Sequence, residues 1–90
     1  MYSLYTTNKF DKSLKLCKKR NYDLSLLQIV IDMLQESGQL PVNYKPHKLS
    51  GNYKDCWECH IKPDWLLIWK QNDKELTLLL LDTETHSDLF

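Results

Sequence analysis

Three histidines and one aspartate carry the side-chain chemistry that can cleave RNA. The histidines are His47, His60 and His86, and Asp64 follows His60 by four residues. Cleavage without a metal ion needs a base for the 2′-hydroxyl proton, an acid for the departing 5′-oxygen and positive charge for the phosphate. Imidazole can supply all three near neutral pH. We therefore treat these residues as candidates for acid–base catalysis, although a single histidine is more often an ordinary surface or core residue.

The turn after His60 gives a geometric expectation for two of these residues. Ile61, Lys62 and Pro63 separate His60 from Asp64. A hairpin at this turn would set the two side chains opposite one another, with Cβ atoms about 5 Å apart. The Asp64 carboxylate would then orient the imidazole or favour its charged form.

A cysteine motif raises the alternative of a metal or haem site. Cys56 and Cys59 precede His60 with the C-x-x-C-H spacing of c-type haem attachment. An alternating strand would point the two cysteines to opposite faces, which does not suit one haem. Structural zinc usually has paired ligand motifs, and only one C-x-x-C occurs. With Cys17 the cysteines are odd in number, so we predict free thiols and neither a metal nor a cofactor.

Hydrophobic periodicity predicts the element order βααβββ. Two N-terminal segments have apolar residues at helical spacing, and the later segments have the composition of strands. Segments 65–69 and 76–81 are apolar on both faces, as is typical of central strands with helices on one side. We predict one α+β domain, residues 1–90, with a small largely antiparallel sheet and two N-terminal helices on one face. The predicted elements are a strand at 2–6, a helix at 9–19 capped by Asn8, a helix from Asp23 or Ser25 to Gly38, and strands at 53–61, 65–71 and 75–82.

The charges are unevenly distributed although the formal net charge is zero. A basic N-terminal group could form a nucleic-acid-binding face or an ordinary solvated flank of a helix. No segment has the pattern of a membrane span or a signal peptide, so we expect a cytoplasmic protein without membrane contact. The basic residues form two groups, first Lys9, Lys12, Lys15, Lys18, Lys19 and Arg20, and then Lys45, Lys48, Lys54 and Lys62.

Three segments resemble signature segments of the YafQ-like branch of the RelE superfamily of bacterial toxins. They are HKLSG at 47–51, ECHIKPDWLL at 58–67 and THSDLF at 85–90, in the family's order. The resemblance extends over the whole chain through the βααβββ order. It implies a metal-independent endoribonuclease that cuts mRNA on the ribosome and a cognate antitoxin that neutralises it. The antitoxin complex could also bind operator DNA.

The resemblance also implies roles for particular residues. His86 would be the general acid and the Asp64–His60 side the base, although the two could be exchanged. His47 would bind the phosphate, and Trp65 or Phe90 would pack on a nucleotide, although Trp65 equally suits a buried strand. The functional positions implied by the family are His47, His60, Asp64, Trp65, His86 and Phe90. From the basic middle region we add Lys48, Lys54 and Lys62 as further candidate RNA contacts.

Three positions depart from the family pattern. Relatives commonly have arginine where this chain has Trp57 and Asp82, and glycine where it has Glu84. Arginine beside a scissile phosphate stabilises the charge that develops in the transition state, whereas Asp82 and Glu84 would repel it unless they point away. Two alternatives to an active nuclease therefore remain, an antitoxin-binding protein with weakened cleavage and a gyrase-targeting toxin of the same superfamily.

Overall fold

The computed structural model describes residues 1–51 and 55–85, which form one five-stranded sheet, two α-helices and a short 3₁₀-helix at Val42–Tyr44. The sheet order is β1-β5-β4-β3-β2; β1 is parallel to β5, and the other neighbours are antiparallel. The predicted α+β class and the two N-terminal helices are confirmed. The elements are β1 Ser3–Thr6, α1 Asn8–Lys19, α2 Leu24–Ser37, β2 His47–Lys48, β3 Cys56–Lys62, β4 Trp65–Asn72 and β5 Thr77–Thr85.

Both helices begin at a side-chain cap. The Thr7 hydroxyl accepts a hydrogen bond from the Phe10 N–H at 3.0 Å and so caps α1. The prediction that Asn8 is this cap is wrong, because Asn8 is already the first helical residue and Thr7 has the extended backbone that a cap requires. Of the two caps predicted for α2, Asp23 is the one present, and Gly38 ends the helix in the left-handed conformation as predicted.

The second half of the sheet differs from the prediction in its strand boundaries. The two-residue strand β2 was not predicted, because two residues are too few to produce a periodic pattern. The strand predicted at 53–61 begins at Cys56, and residues 52–54 lie outside the described part of the chain. The last strand starts two residues late, since the Asn72 carboxamide oxygen accepts the N–H groups of Lys74 and Glu75 and holds a turn there.

One face of the sheet packs against the helices and forms the core. The apolar residues of α2 meet alternate residues of β3, β4 and β5, the pattern expected when one face of a sheet is covered by helices. Cys59 belongs to this core but Cys56 does not, which confirms that they point to opposite faces, and none of the three cysteines, which all lie in the described residues, forms a disulfide. The core includes Phe10, Cys17, Leu27, Val30, Ile31, Leu34, Cys59, Ile61, Trp65, Leu67, Trp69, Leu78 and Leu80.

A bulge in β5 decides which residues reach the other face. Trp69 pairs with Leu80 but Ile68 pairs with Asp82, so Leu81 is an extra residue. Strict alternation from Leu80 would have pointed Asp82 into the core, and the bulge turns it away. We call the sheet face opposite the core the outer face, and α1 reaches it at the β5 edge. The outer face carries Glu58, His60, Leu66, Ile68, Asp82 and Glu84.

Candidate functional site

The strand registers arrange the polar residues of the outer face in two rows. One row runs from His60 through Leu66 to Glu84. The next runs from His47 through Glu58 and Ile68 to Asp82. Laterally paired residues lie on the same face of neighbouring strands, which are about 4.8 Å apart. The sheet therefore brings two imidazoles to one end of the rows and two carboxyl groups to the other.

A backbone carbonyl orients the imidazole of His60. Its Nδ1 lies 3.2 Å from the Pro63 carbonyl oxygen. A carbonyl oxygen only accepts hydrogen bonds, so Nδ1 carries the proton of this contact. In the neutral ring Nε2 then has the free lone pair, and His60 is prepared to accept a proton there.

The predicted pairing of His60 with Asp64 is wrong. His60 pairs with Leu66, and a bulge at Ile61 brings Lys62 opposite Trp65. Asp64 is consequently an exposed turn residue. The bulge changes the register that a regular hairpin would have, so the Pro63 carbonyl holds the imidazole in place of the expected carboxylate.

The second imidazole, His47, lies between two hydrogen-bond acceptors. Its Nδ1 is 2.8 Å from the Lys45 carbonyl oxygen, and its Nε2 is 3.1 Å from a carboxylate oxygen of Glu58. Only the doubly protonated ring can donate to both. The ring centroids of His47 and His60 are 6.3 Å apart, so a cationic His47 would stand beside the His60 ring.

Sequence analysis missed Glu58 as a member of this site. Its signal is the alternation of β3, because a residue two positions before His60 in a strand must share its face. The short strand β2 then completes the contact by pairing His47 with Glu58.

Two predicted RNA contacts lie away from the two imidazoles. Lys48 is on the other side of β2, with its ammonium 5.6 Å from the ring centroid of Trp57. Trp65 is only 2% exposed, and its indole N–H donates to the Thr83 hydroxyl at 2.8 Å. The structure thus assigns Trp65 to the core, where its ring offers RNA almost no surface.

The remaining predicted site residues fall in two places. Lys62 and Asp64 line a surface cavity of about 320 Å³ beside Tyr22, and one edge of Trp65 reaches it. This cavity adjoins the turn that holds His60. Lys54, His86 and Phe90 lie outside the described residues.

Asp82 does not face solvent as an unpaired acid, which corrects the expectation that it would repel a phosphate. It is 3% exposed and accepts a hydrogen bond from the Ser13 hydroxyl at 2.5 Å. The Lys9 ammonium lies 3.1 Å from Asp82 and 3.6 Å from Glu84. Helix α1 thus supplies a cation to both acids.

The two acids are neighbours that interact with each other and with Lys9, and this separates their pKa values. Hydrogen bonding with Asp82, together with burial and the negative charge of Asp82, raises the pKa of Glu84 to about 7. Burial acts to raise the pKa of Asp82, but hydrogen bonds from Glu84, Ser13 and Lys9 outweigh it and hold that pKa below its usual value. Near neutral pH the pair therefore retains one shared proton for part of the time.

Residues 1–51 and 55–85 contain no group of three or more His, Cys, Asp or Glu side chains arranged to hold a metal ion. Burial raises the pKa of the Cys59 thiol to about 12, which keeps it protonated. No helix in this part of the chain has the length and apolar character needed to cross a membrane.

Comparison with known proteins agrees with this fold. A family model described as "Bacterial toxin of type II toxin-antitoxin system, YafQ" matches residues 2–90. The mRNA interferase toxin YafQ of Escherichia coli K12 is 36% identical over 85 residues, which cover 93% of this chain and 90% of that protein. A crystal structure of a metal-bound toxin from Helicobacter pylori is 43% identical, with a TM-score of 0.88 and 100% of both chains covered.

A further solved structure is the E. coli DinJ–YafQ complex. It matches with 33% identity and a TM-score of 0.88, over 100% of this chain and 99% of that chain. The family model and the E. coli relative each cover nearly all of this chain. The chain therefore belongs to the YafQ family of bacterial toxins of type II toxin–antitoxin systems.

Proposed function

We propose that this protein is an endoribonuclease that cuts mRNA on the ribosome by acid–base catalysis without a metal ion. One observation carries the proposal: His60, oriented by the Pro63 carbonyl, stands beside His47 on the outer face. A base next to a cation is what attack of a 2′-hydroxyl on a phosphodiester requires. The name of the E. coli relative, an mRNA interferase, supports the choice of substrate.

In the proposed mechanism Nε2 of His60 takes the proton of the 2′-hydroxyl. The 2′-oxygen then attacks phosphorus, the bond from phosphorus to the 5′-oxygen breaks, and a 2′,3′-cyclic phosphate forms. The acid that protonates the departing oxygen is His86, as the resemblance implies. His47 stabilises the negative charge of the phosphate, and Glu58 and the Lys45 carbonyl hold its ring in position.

The remaining contacts to RNA come from residues around this centre. Lys62 and Asp64 border the surface cavity next to the His60 turn, where they would position the strand. Lys54 and Phe90 would contribute a phosphate contact and a stacking surface for a base. Lys48 and Trp65 would shape the sheet that carries the histidines rather than contact RNA directly.

We also propose a cognate antitoxin as the protein partner. The crystal structure of the DinJ–YafQ complex supports this for a relative with the same fold. The complex of toxin and antitoxin would act in the cytoplasm and bind operator DNA through the antitoxin.

The test is cleavage of a defined mRNA during translation with purified components. We expect cuts in the message when ribosomes are translating it, and none in the same RNA without ribosomes. His60→Ala is the matched negative control, because it removes the proposed base. Absence of cuts with the wild-type chain would favour an antitoxin-binding protein without cleavage, and inhibition of gyrase instead would favour the gyrase-targeting alternative.

A further inference from the structure

A three-residue cluster at the junction of α1 and β5 carries charge that the proposed mechanism does not use. The ammonium of Lys9 lies 3.1 Å from Asp82 and 3.6 Å from Glu84. Ser13, one helical turn after Lys9, donates to the other carboxylate oxygen of Asp82. We call Lys9, Asp82 and Glu84 the α1–β5 charge cluster.

The members of the cluster differ in their access to solvent. The side chain of Lys9 is 61% exposed, whereas those of Asp82 and Glu84 are 4% and 19% exposed. An incoming anion would therefore meet the ammonium before the carboxyl groups. The carboxyl groups lie beneath it and fix its position.

The charge of the cluster depends on one proton. Oδ2 of Asp82 is buried and receives no hydrogen bond of standard geometry within the described residues, although it forms the ion pair with Lys9. A protonated Glu84 is a donor that can satisfy a carboxylate of Asp82, in agreement with the raised pKa of Glu84. With this proton the cluster is neutral, and without it the cluster has a net charge of minus one.

The groups that face Glu84 come from three elements. They are Lys9 of α1, the adjacent Asp82 of β5, and the apolar Leu66 of β4, beyond which lies His60 of β3. Two strand spacings, roughly 10 Å, separate the backbones of His60 and Glu84. The cluster is thus one step along the same face from the proposed cleavage centre.

We propose that the α1–β5 charge cluster binds a backbone phosphate of the RNA strand adjacent to the scissile one, through Lys9, when Asp82 and Glu84 share a proton. The chemical class of the ligand is a phosphodiester, and the assignment of a scissile phosphate rests on the proposed function. Loss of the shared proton places a net negative charge under Lys9 and weakens the site. Asp82 and Glu84 are therefore compatible with RNA binding on this face while they share a proton.

The experiment measures equilibrium binding of a short single-stranded 2′-O-methyl RNA, which cannot be cleaved, by fluorescence anisotropy at about pH 6 and about pH 8. Because histidine side chains also change charge in this range, the comparison is between variants at each pH. We expect Glu84→Gln to bind like wild type at the lower pH and roughly three- to tenfold tighter than wild type at the higher pH, the effect of one unit charge acting a few ångströms away.

Lys9→Gln tests the proposed contact, and Lys74→Gln, which removes the same charge from the exposed turn between β4 and β5, is its control. We expect Lys9→Gln to bind more weakly than Lys74→Gln at the lower pH and Lys9→Arg to restore binding. Circular dichroism of each variant checks folding. Three results would overturn the site. The first is a ratio of the Glu84→Gln affinity to the wild-type affinity that is the same at both pH values. The others are equal affinities of the two lysine variants, or no RNA binding by wild type at low salt.

These outcomes are distinguishable from failure of the proposed function. Binding of an uncleavable RNA involves no chemical step. If the variants bind RNA as expected but the wild-type protein does not cleave mRNA on ribosomes, the phosphate site is supported and the nuclease function is rejected. If the wild-type protein cleaves mRNA but the ratio of the Glu84→Gln and wild-type affinities for RNA does not change with pH, the nuclease function is supported and the phosphate site is rejected.

Discussion

At the residue scale, the hydrogen-bond partner of each side chain decides its role more than its position in the sequence does. His60 and Asp64 are close in sequence, yet the imidazole contacts the Pro63 carbonyl. Asp82 and Glu84 look like obstacles to an anionic substrate, yet one is buried against Ser13 and both are near Lys9. A carboxylate with such partners positions a cation instead of exposing a negative charge.

The contact of His60 with Pro63 leads to a prediction about two variants. We expect His60→Ala to lower the cleavage rate by roughly 10²- to 10⁴-fold, the usual cost of removing a general base. Asp64→Asn should lower it much less, because the carboxylate does not orient the imidazole. Single-turnover cleavage rates on ribosomes measure both, and thermal unfolding checks folding. A loss with Asp64→Asn as large as that with His60→Ala would mean that the carboxylate takes part in the chemistry.

Replacement of Asp82 by arginine should damage the fold and should not accelerate cleavage. The new guanidinium would occupy a buried position beside Lys9 and leave the Ser13 hydroxyl without its acceptor. Removing one partner of a buried ion pair costs about 3–5 kcal/mol, and because Lys9 is exposed we expect a cost at the lower end of this range. Urea unfolding measures the difference, with Asp82→Asn as the milder control. Faster cleavage by a fully stable Asp82→Arg variant would contradict the assigned contacts.

The coupled acids predict how stability varies with pH. Since the pKa of Glu84 is raised from 4.5 to about 7 in the folded state, its stabilising contribution is complete below about pH 4.5 and is lost as the pH rises through 7. The lowered pKa of Asp82 acts in the opposite direction: its contribution is present above 3.8 and is lost as the pH falls through the folded-state value. Wild type should therefore lose stability between about pH 5 and about pH 8.

Glu84→Gln isolates this effect, because the carboxamide cannot ionise but keeps a donor for Asp82. We expect the variant to show a flatter decline of the free energy of unfolding over the same pH range. Urea titrations of both proteins at several pH values measure it. Parallel curves for wild type and variant would show that Glu84 does not titrate in this range.

At the element scale, the sequence correctly predicted the helices and strands that have a repeated local pattern of apolar residues. It did not predict the features that depend on the register between strands. Both helices and the central strands have apolar residues at regular spacing, and all of them are present. The strand β2 is too short for any pattern, and the bulges at Ile61 and Leu81 depend on pairing with a distant strand. These three features decide the partners of His47, His60, Asp82 and Glu84, which is why those partners could not be predicted from spacing alone.

Helix α1 offers a test of the basic N-terminal group. Its Lys9 belongs to the α1–β5 charge cluster, whereas Lys18 lies on a different side of the helix and is exposed. We expect Lys18→Gln to weaken ribosome association and to reduce the slope of log affinity against log salt by about one unit, without changing the rate of the chemical step. Lys74→Gln, with the same change of charge, is the control. Identical salt dependence of both variants would remove α1 from the ribosome-binding surface.

At the scale of the whole molecule, a formal net charge of zero is compatible with an RNA-cutting protein because the charges are sorted by position. Each acid of the outer face has a basic partner, which is the His47 imidazole for Glu58 and the Lys9 ammonium for Asp82 and Glu84. Lysines elsewhere on α1 are exposed. The net charge of the chain is therefore a poorer guide to RNA binding than the contacts that each acidic side chain makes.

The most direct test of the central claim is the chemistry of the cut ends produced by toxin from which metal ions have been removed. The toxin is treated with a chelator, separated from it and added to translating ribosomes that retain their magnesium. Acid–base cleavage by His60 predicts an undiminished rate and upstream fragments that end in a 2′,3′-cyclic phosphate or its hydrolysis product. Loss of cleavage that returns on addition of a transition metal, or fragments ending in a 3′-hydroxyl, would contradict the account.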